Sequence, residues 1–156
     1  MFDPNNPPGA KEELFGWLRH MNKYKGSDLF ITTNFPPAMK VDGKITRLND
    51  TPLTAEKCME LAFSIMSTKQ IEEFSSTHEC NFALSLPDTS RFRVNAMIQR
   101  GATAMVFRAI TSNIPKFESL NLPPVLKDVA MKKRGLVIFV GGTGSGKSTS
   151  LASLID

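Results

Sequence analysis

The chain is short of cysteine, of surplus charge and of long apolar runs, and each shortage closes off a class of function. Only two cysteines, Cys58 and Cys80, occur in 156 residues. No disulfide framework follows from them, and a reduced, cytoplasmic compartment fits. His20, Cys58, His78 and Cys80 lack zinc-ligand spacing, and Cys80 opens an alternating apolar pattern, so no metal centre is expected from them. The formal net charge is +4, from 19 basic and 15 acidic residues. Lysine and arginine are spread along the chain, without the dense basic stripe and interleaved aromatics of a nucleic-acid binder. Their one cluster, Lys132-Lys133-Arg134 before Gly135, reads as the capped C-terminus of a helix. No apolar run is long enough to span a bilayer, and MFDPNNPPGA at the start is not a signal peptide.

Against these shortages stands one dense stretch, GLVIFVGGTGSGKSTS from Gly135 to Ser150. Gly141, Gly146, Lys147 and Ser148 match a phosphate-binding loop: glycine, four residues, then Gly-Lys-Ser. Leu136–Val140 is wholly apolar and predicts a strand buried on both faces of a parallel sheet. From Lys147 the pattern predicts a helix. Glycines allow positive φ and close approach of backbone to ligand. Successive N–H groups then point inward as an anion nest over a helix N-terminus. Gly141, Gly142, Thr143, Gly144, Ser145, Gly146, Lys147, Ser148 and Thr149 are the expected ATP-binding residues. Lys147 would reach the β and γ phosphates, and the Ser148 hydroxyl would ligate Mg²⁺.

The rest of the chain predicts an α+β domain. Residues 1–10 form a flexible lead-in. A helix over Lys11–Tyr24 carries Leu14, Trp17, Leu18 and Met21 on one stripe. Strands at Asp28–Thr32, Ala38–Val41 and Lys44–Leu48 follow, the last two joined by Asp42-Gly43, a type I′ hairpin signal. Thr54 is placed as the N-cap of a helix whose face holds Cys58, Leu61, Ala62, Ile65 and Met66, widened by Met59 and Phe63. Thr68 is read as the cap of a short helix ending near Phe74. Three strands come next, Cys80–Leu86, Arg91–Gln99 and Thr103–Ile110, with a turn at Pro87–Ser90. Phe92, Val94, Ala96 and Ile98 share one face of the middle strand; Arg91, Arg93, Asn95 and Gln99 share the other. The expected sheet is mixed or antiparallel with a helix layer on one side. A domain of residues 11–111, a linker of 112–119 and a second domain of 120–156 result. Pro123-Pro124 starts a helix in the last part, with Leu126, Val129 and Ala130 as its apolar side.

The residues SDLF with PP and VDG (Ser27 to Gly43), RFRVNA (Arg91 to Ala96), VFR (Val106 to Arg108) and KRGLVIFVGGTGSGKSTSLA (Lys133 to Ala152) resemble the type IV pilus retraction ATPases, the PilT/PilU branch of the secretion ATPases. HECNFA (His78 to Ala83) and TSNIP look more like PilU than PilT. The resemblance covers the chain from Ser27 onward. Gly142 stands where relatives carry proline or alanine, a position that the motif leaves free. The resemblance implies a PAS-like α+β N-terminal domain joined to the truncated start of a RecA-like P-loop ATPase domain, in an α/β protein. It implies a homohexamer on the cytoplasmic side of the bacterial inner membrane, without a membrane span. ATP hydrolysis there withdraws pilin beside a related retraction ATPase and the inner-membrane platform. It also implies catalytic roles for Arg93 and Arg108, which would approach the nucleotide phosphates; Arg91 is read as structural.

The family's Asp box, catalytic glutamate, Walker B segment and His box are expected beyond Asp156. Water positioning would then be missing, and negligible ATPase activity is expected of the 156 residues alone. Alternatives are an extension or secretion motor of the same superfamily, a non-catalytic oligomerisation or docking module, and, more distantly, a helicase with a RecA core.

Overall fold

The computed structural model describes residues 9–86, 90–110, 114–142 and 145–155. The lead-in over 1–8, most of the turn at Pro87–Ser90, the start of the linker, and Thr143 and Gly144 lie outside them. The chain forms two compact units, Met1–Ile110 and Thr111–Asp156.

In the first unit, α1 (Ala10–Lys23) buries Leu14, Leu18 and Met21 of the predicted stripe, with Trp17 at its margin; Ala10 and Phe15, outside the predicted stripe, are buried as well. The helix ends through Tyr24 and Lys25, whose φ is +53°. Gly26 matters for proximity: a Cβ there would lie 2.5 Å from Met21 Cγ and 3.2 Å from the Lys40 carbonyl oxygen. Strands β1 (Asp28–Ile31), β2 (Ala38–Val41) and β3 (Lys44–Arg47) follow. Asp42 and Gly43 both have positive φ, 48° and 79°, as the type I′ signal requires. The Thr54 hydroxyl accepts from the Lys57 N–H at 3.1 Å and opens α2 (Ala55–Ile65). Met59 is exposed, so it does not widen the buried face.

Helix α3 spans Thr68–Thr77, three residues past the expected end at Phe74, and its cap is Ser67 rather than Thr68. Ser67 and Gln70 form a reciprocal capping box, which satisfies two free N–H groups. Strands β4 (Glu79–Ser85), β5 (Arg91–Gln99) and β6 (Ala102–Ile110) complete the unit. The β5–β6 turn uses Arg100 and Gly101 at φ 51° and 79°.

The sheet has six strands in the order β3-β2-β1-β6-β5-β4, every neighbour antiparallel. Its two faces differ in kind. Leu29, Ile31, Met39, Phe92, Val94, Met105 and Phe107 form one buried cluster with Leu14, Leu18 and Met21 of α1, Leu61 of α2 and Phe74 of α3. Among the described residues all three helices therefore lie on one face. With period two along each strand, the alternate residues line a face that no helix among the described residues of this unit covers.

The second unit holds a 3₁₀ turn (Phe117–Leu120), α4 (Val125–Ala130) and α5 (Lys147–Ile155). Pro124 sits at the N-cap of α4, and the helix closes at Met131. Lys132, Lys133 and Arg134 thus lie past the helix instead of in its last turn; only the Lys132 N–H folds back, to the Val129 carbonyl at 3.2 Å. The run Leu136–Val140 is not a buried strand here. It pairs with nothing among the described residues, and Leu136 and Val140 are 84% and 88% exposed. A strand forms only where a neighbour takes its N–H and C=O groups, and the described residues of this unit offer none. No helix among the described residues is long and apolar enough to cross a membrane.

Candidate functional site

Two places carry the residues singled out by sequence, one in each unit. The first is the loop into α5. Gly146 precedes the helix at φ +83°, a value that disfavours any side chain. At Gly141 a Cβ would come within 2.8 Å of Ser145 Oγ, so bulk there would press on the loop; at Gly142 a Cβ would meet open space. Lys147 is the first residue of α5, and Ser148 and Thr149 occupy its exposed first turn. Lys147 Nζ donates to the carbonyl oxygens of Gly141 at 2.7 Å and Gly142 at 2.5 Å, and lies 3.4 Å from Ser145 Oγ. The ammonium thus folds over its own loop. The hydroxyls of Ser150 and Ser153 are turned back to the carbonyls of Gly146 and Ser150. Ser148 Oγ makes no such bond among the described residues. Thr143 and Gly144, also expected ligands, lie outside the described residues.

The second place is the open face of the sheet. Its central row runs Ala83, Arg93, Arg108, Asp28 and Lys40 across β4, β5, β6, β1 and β2. Arg93 and Arg108 are directly opposite one another, an arrangement of like charges that costs stability unless a counter-charge is near. Arg108 Nε donates to Asp28 Oδ1 at 2.9 Å. Arg93 makes no ion pair among the described residues. One row over stand Asn81 and Asn95, whose amides both donate to Oε1 of Glu79 in the row beyond, at 3.0 and 3.1 Å. A cavity of about 490 Å³ is lined by Glu79, Asn81, Arg93, Asn95, Val106 and Arg108. Arg91 lies on the same face, opposite Ser85 and Ile110.

Asp28 is the member of this row to which no role was assigned from sequence. The available signal was a carboxylate, preceded by a serine, at the head of an otherwise apolar strand. Its side chain is buried, and burial alone would raise its pKa. The hydrogen bond from Arg108, then that from Ser27, and the charges of Arg108 and Lys40 outweigh burial and hold it below its ordinary 3.8. A carboxylate with a depressed folded-state pKa stabilises the fold above its unfolded value, and the gain is lost as pH falls through the folded value. The chain is therefore expected to exceed Asp28→Asn in stability at neutral pH, and the difference is expected to shrink as pH falls below 3.8 through the lowered folded value. Denaturant unfolding of both at each pH measures it; a difference independent of pH would contradict the ion pair.

An antiparallel α/β unit with paired arginines on an open face, and a second unit with a Gly-Lys-Ser loop at a helix N-terminus, define a mixed α/β protein. The chain belongs to the Type II/IV secretion system protein family, whose profile matches residues 14–156. It is similar to the type IV pilus ATPase PilU of Pseudomonas aeruginosa, with 51% identity over 138 residues, covering 88% of this chain and 36% of that protein. Identity to the type IV pilus retraction ATPase PilT of the same organism is 40% over 134 residues, covering 86% of this chain and 39% of that protein. A crystal structure of the pilus retraction motor PilT with bound ADP superposes with a TM-score of 0.81 at 33% identity, over 91% of this chain and 42% of that one. The PilT/PilU resemblance and the mixed α/β fold are thus shown. The chain spans less than half the length of these relatives.

Proposed function

We propose that this chain is the nucleotide-binding portion of a hexameric motor ATPase that powers type IV pilus retraction from the cytoplasmic face of the inner membrane. The supporting observation is the loop Gly141–Ser148, set on the N-terminus of a nine-residue helix, with a lysine at the helix start. Identity to PilU and PilT supports the retraction role over an extension or secretion role. Residues 11–111 then act as a PAS-like domain, 112–119 as a linker and 120–156 as the beginning of a RecA-like domain. The partners are further copies of the chain, a related retraction ATPase and the inner-membrane platform.

In this reading the helix N-terminus and the loop N–H groups take the phosphates of ATP, and Lys147 leaves its carbonyl partners to meet them. Mg²⁺ suits the residues present. Among the described residues no group of three His, Cys, Asp or Glu gathers to hold a metal, whereas Ser148 offers an unengaged hydroxyl. Mg²⁺ takes few protein ligands and completes its shell with water and phosphate oxygens, whose charge it neutralises. Arg93 and Arg108 supply fixed charge to the phosphoryl group during transfer. Their support is that both stand on the open face, directly opposite in register, and line one cavity.

The test is a thermal-shift titration of the chain with ATP, with and without Mg²⁺. Nucleotide at a hundred times Kd adds about 2.7 kcal/mol to the folded state. A rise in melting temperature that needs Mg²⁺ for its full size is expected. No shift with ATP under either condition overturns the reading.

A further inference from the structure

The ion pair on the open sheet face is lopsided. Asp28 is 7% exposed at its side chain, and Arg108 is 71% exposed. Here the carboxylate is the fixed part. Asp28 Oδ2 accepts from Ser27 Oγ at 2.8 Å while Oδ1 accepts from Arg108 Nε at 2.9 Å. Ser27 is itself tied on both sides: its N–H donates to the Lys40 carbonyl at 2.8 Å, and its carbonyl accepts from the Ala109 N–H at 3.0 Å. The anchor is therefore locked by backbone to β2 and β6.

The guanidinium is engaged along its Nε edge alone. An arginine carries five N–H donors in a planar fork, so the two terminal nitrogens stay available. The exposed Arg108 side chain lines the same cavity as Arg93, the residue opposite in register. Glu79, which lines the same cavity, accepts through Oε1 from the amides of Asn81 and Asn95 and makes no ion pair with either arginine among the described residues. Asp28 lies on the far side of Arg108 from Arg93 and holds Arg108 alone.

We propose that Asp28 is the positioning residue for Arg108, gripping the guanidinium by its Nε edge so that its terminal nitrogens, beside Arg93, meet phosphate oxygens of the nucleotide. The inference rests on the reading that Arg108 meets those phosphates. Asp28 touches no ligand itself. It restricts the rotation of a long side chain before binding, and so lowers the ordering cost that an exposed arginine otherwise carries. Ser27 does the same for Asp28, one step further back.

The experiment is a double-mutant cycle on Mg-ATP binding by the chain, well below its melting temperature. Asp28→Asn retains the side-chain volume and an accepting oxygen but removes the charge. It is expected to raise Kd about tenfold, and Arg108→Ala by at least as much. The combination Asp28→Asn/Arg108→Ala is expected to bind no more weakly than Arg108→Ala alone, because the carboxylate acts only through the guanidinium. A merely structural Asp28 would lower the melting temperature of Asp28→Asn yet leave its Kd unchanged. An unchanged Kd, or losses that add in the double variant, overturns the inference. The two readings fail separately. If Lys147→Ala and Arg108→Ala both weaken binding and Asp28→Asn does not, the positioning role alone falls. If Mg-ATP does not bind the unaltered chain, the nucleotide reading falls and carries this inference with it.

Discussion

Lys147→Ala is expected to weaken Mg-ATP binding about a hundredfold while leaving the ligand-free chain as stable as before. The two halves have separate physical grounds. A hydrogen bond from a charged donor contributes about 1.5–3 kcal/mol, and the upper end corresponds to about two decades in Kd. Lys147 has three N–H donors and presents them as a compact charge at the start of α5, where the helix dipole already favours an anion. In the ligand-free chain the same donors rest on the carbonyls of Gly141 and Gly142. Both glycines are exposed, so water replaces the ammonium when the side chain is removed. Surface changes of this kind stay within about 0.5 kcal/mol. Calorimetric titration gives the affinity, and denaturant unfolding without nucleotide gives the control. Equal affinity in the two proteins would show that the ammonium stays on its carbonyls when nucleotide is present.

How much of this was legible in the sequence depends on how far each feature reaches along the chain. The Asp42-Gly43 hairpin was legible because its chemistry is local: two adjacent residues must both take positive φ, and they do. The stripe of α1 was legible because Leu14, Leu18 and Met21 repeat at helical spacing. The cap of α3 slipped by one residue, because Ser67 and Thr68 are both good caps and only Gln70, three residues after Ser67, decides between them. The strand order was not legible. It depends on β1 meeting β6 across most of the unit, a pairing that no local pattern encodes. The same pairing brings Asp28 to Arg108, so the anchor of that arginine was hidden for the same reason. Leu136–Val140 shows the converse failure. Its apolar pattern is strong, but a buried strand also needs neighbours, and the pattern says nothing of their presence.

Phe107→Ala is expected to destabilise the first unit by about 3–5 kcal/mol, the range for removing a buried aromatic ring. Phe107 is fully buried, and its register partners are Leu29 on β1 and Val94 on β5, both fully buried as well. It therefore sits where the two halves of the sheet join, in a core that also takes in helices α1, α2 and α3. The loss is large against the roughly 5–15 kcal/mol that holds a domain of this size. The functional consequence follows from period two along β6. Phe107 faces the helices, and Val106 and Arg108 on either side of it face the open cavity. A void under Phe107 that the strand relaxes to fill also moves the backbone that aims Arg108 and meets Asp28. Phe107→Leu, which keeps most of the apolar volume, is expected to recover much of the stability. Denaturant unfolding of the three proteins ranks them. A loss below about 1 kcal/mol for Phe107→Ala would mean that the β1–β6 junction is not the centre of the core.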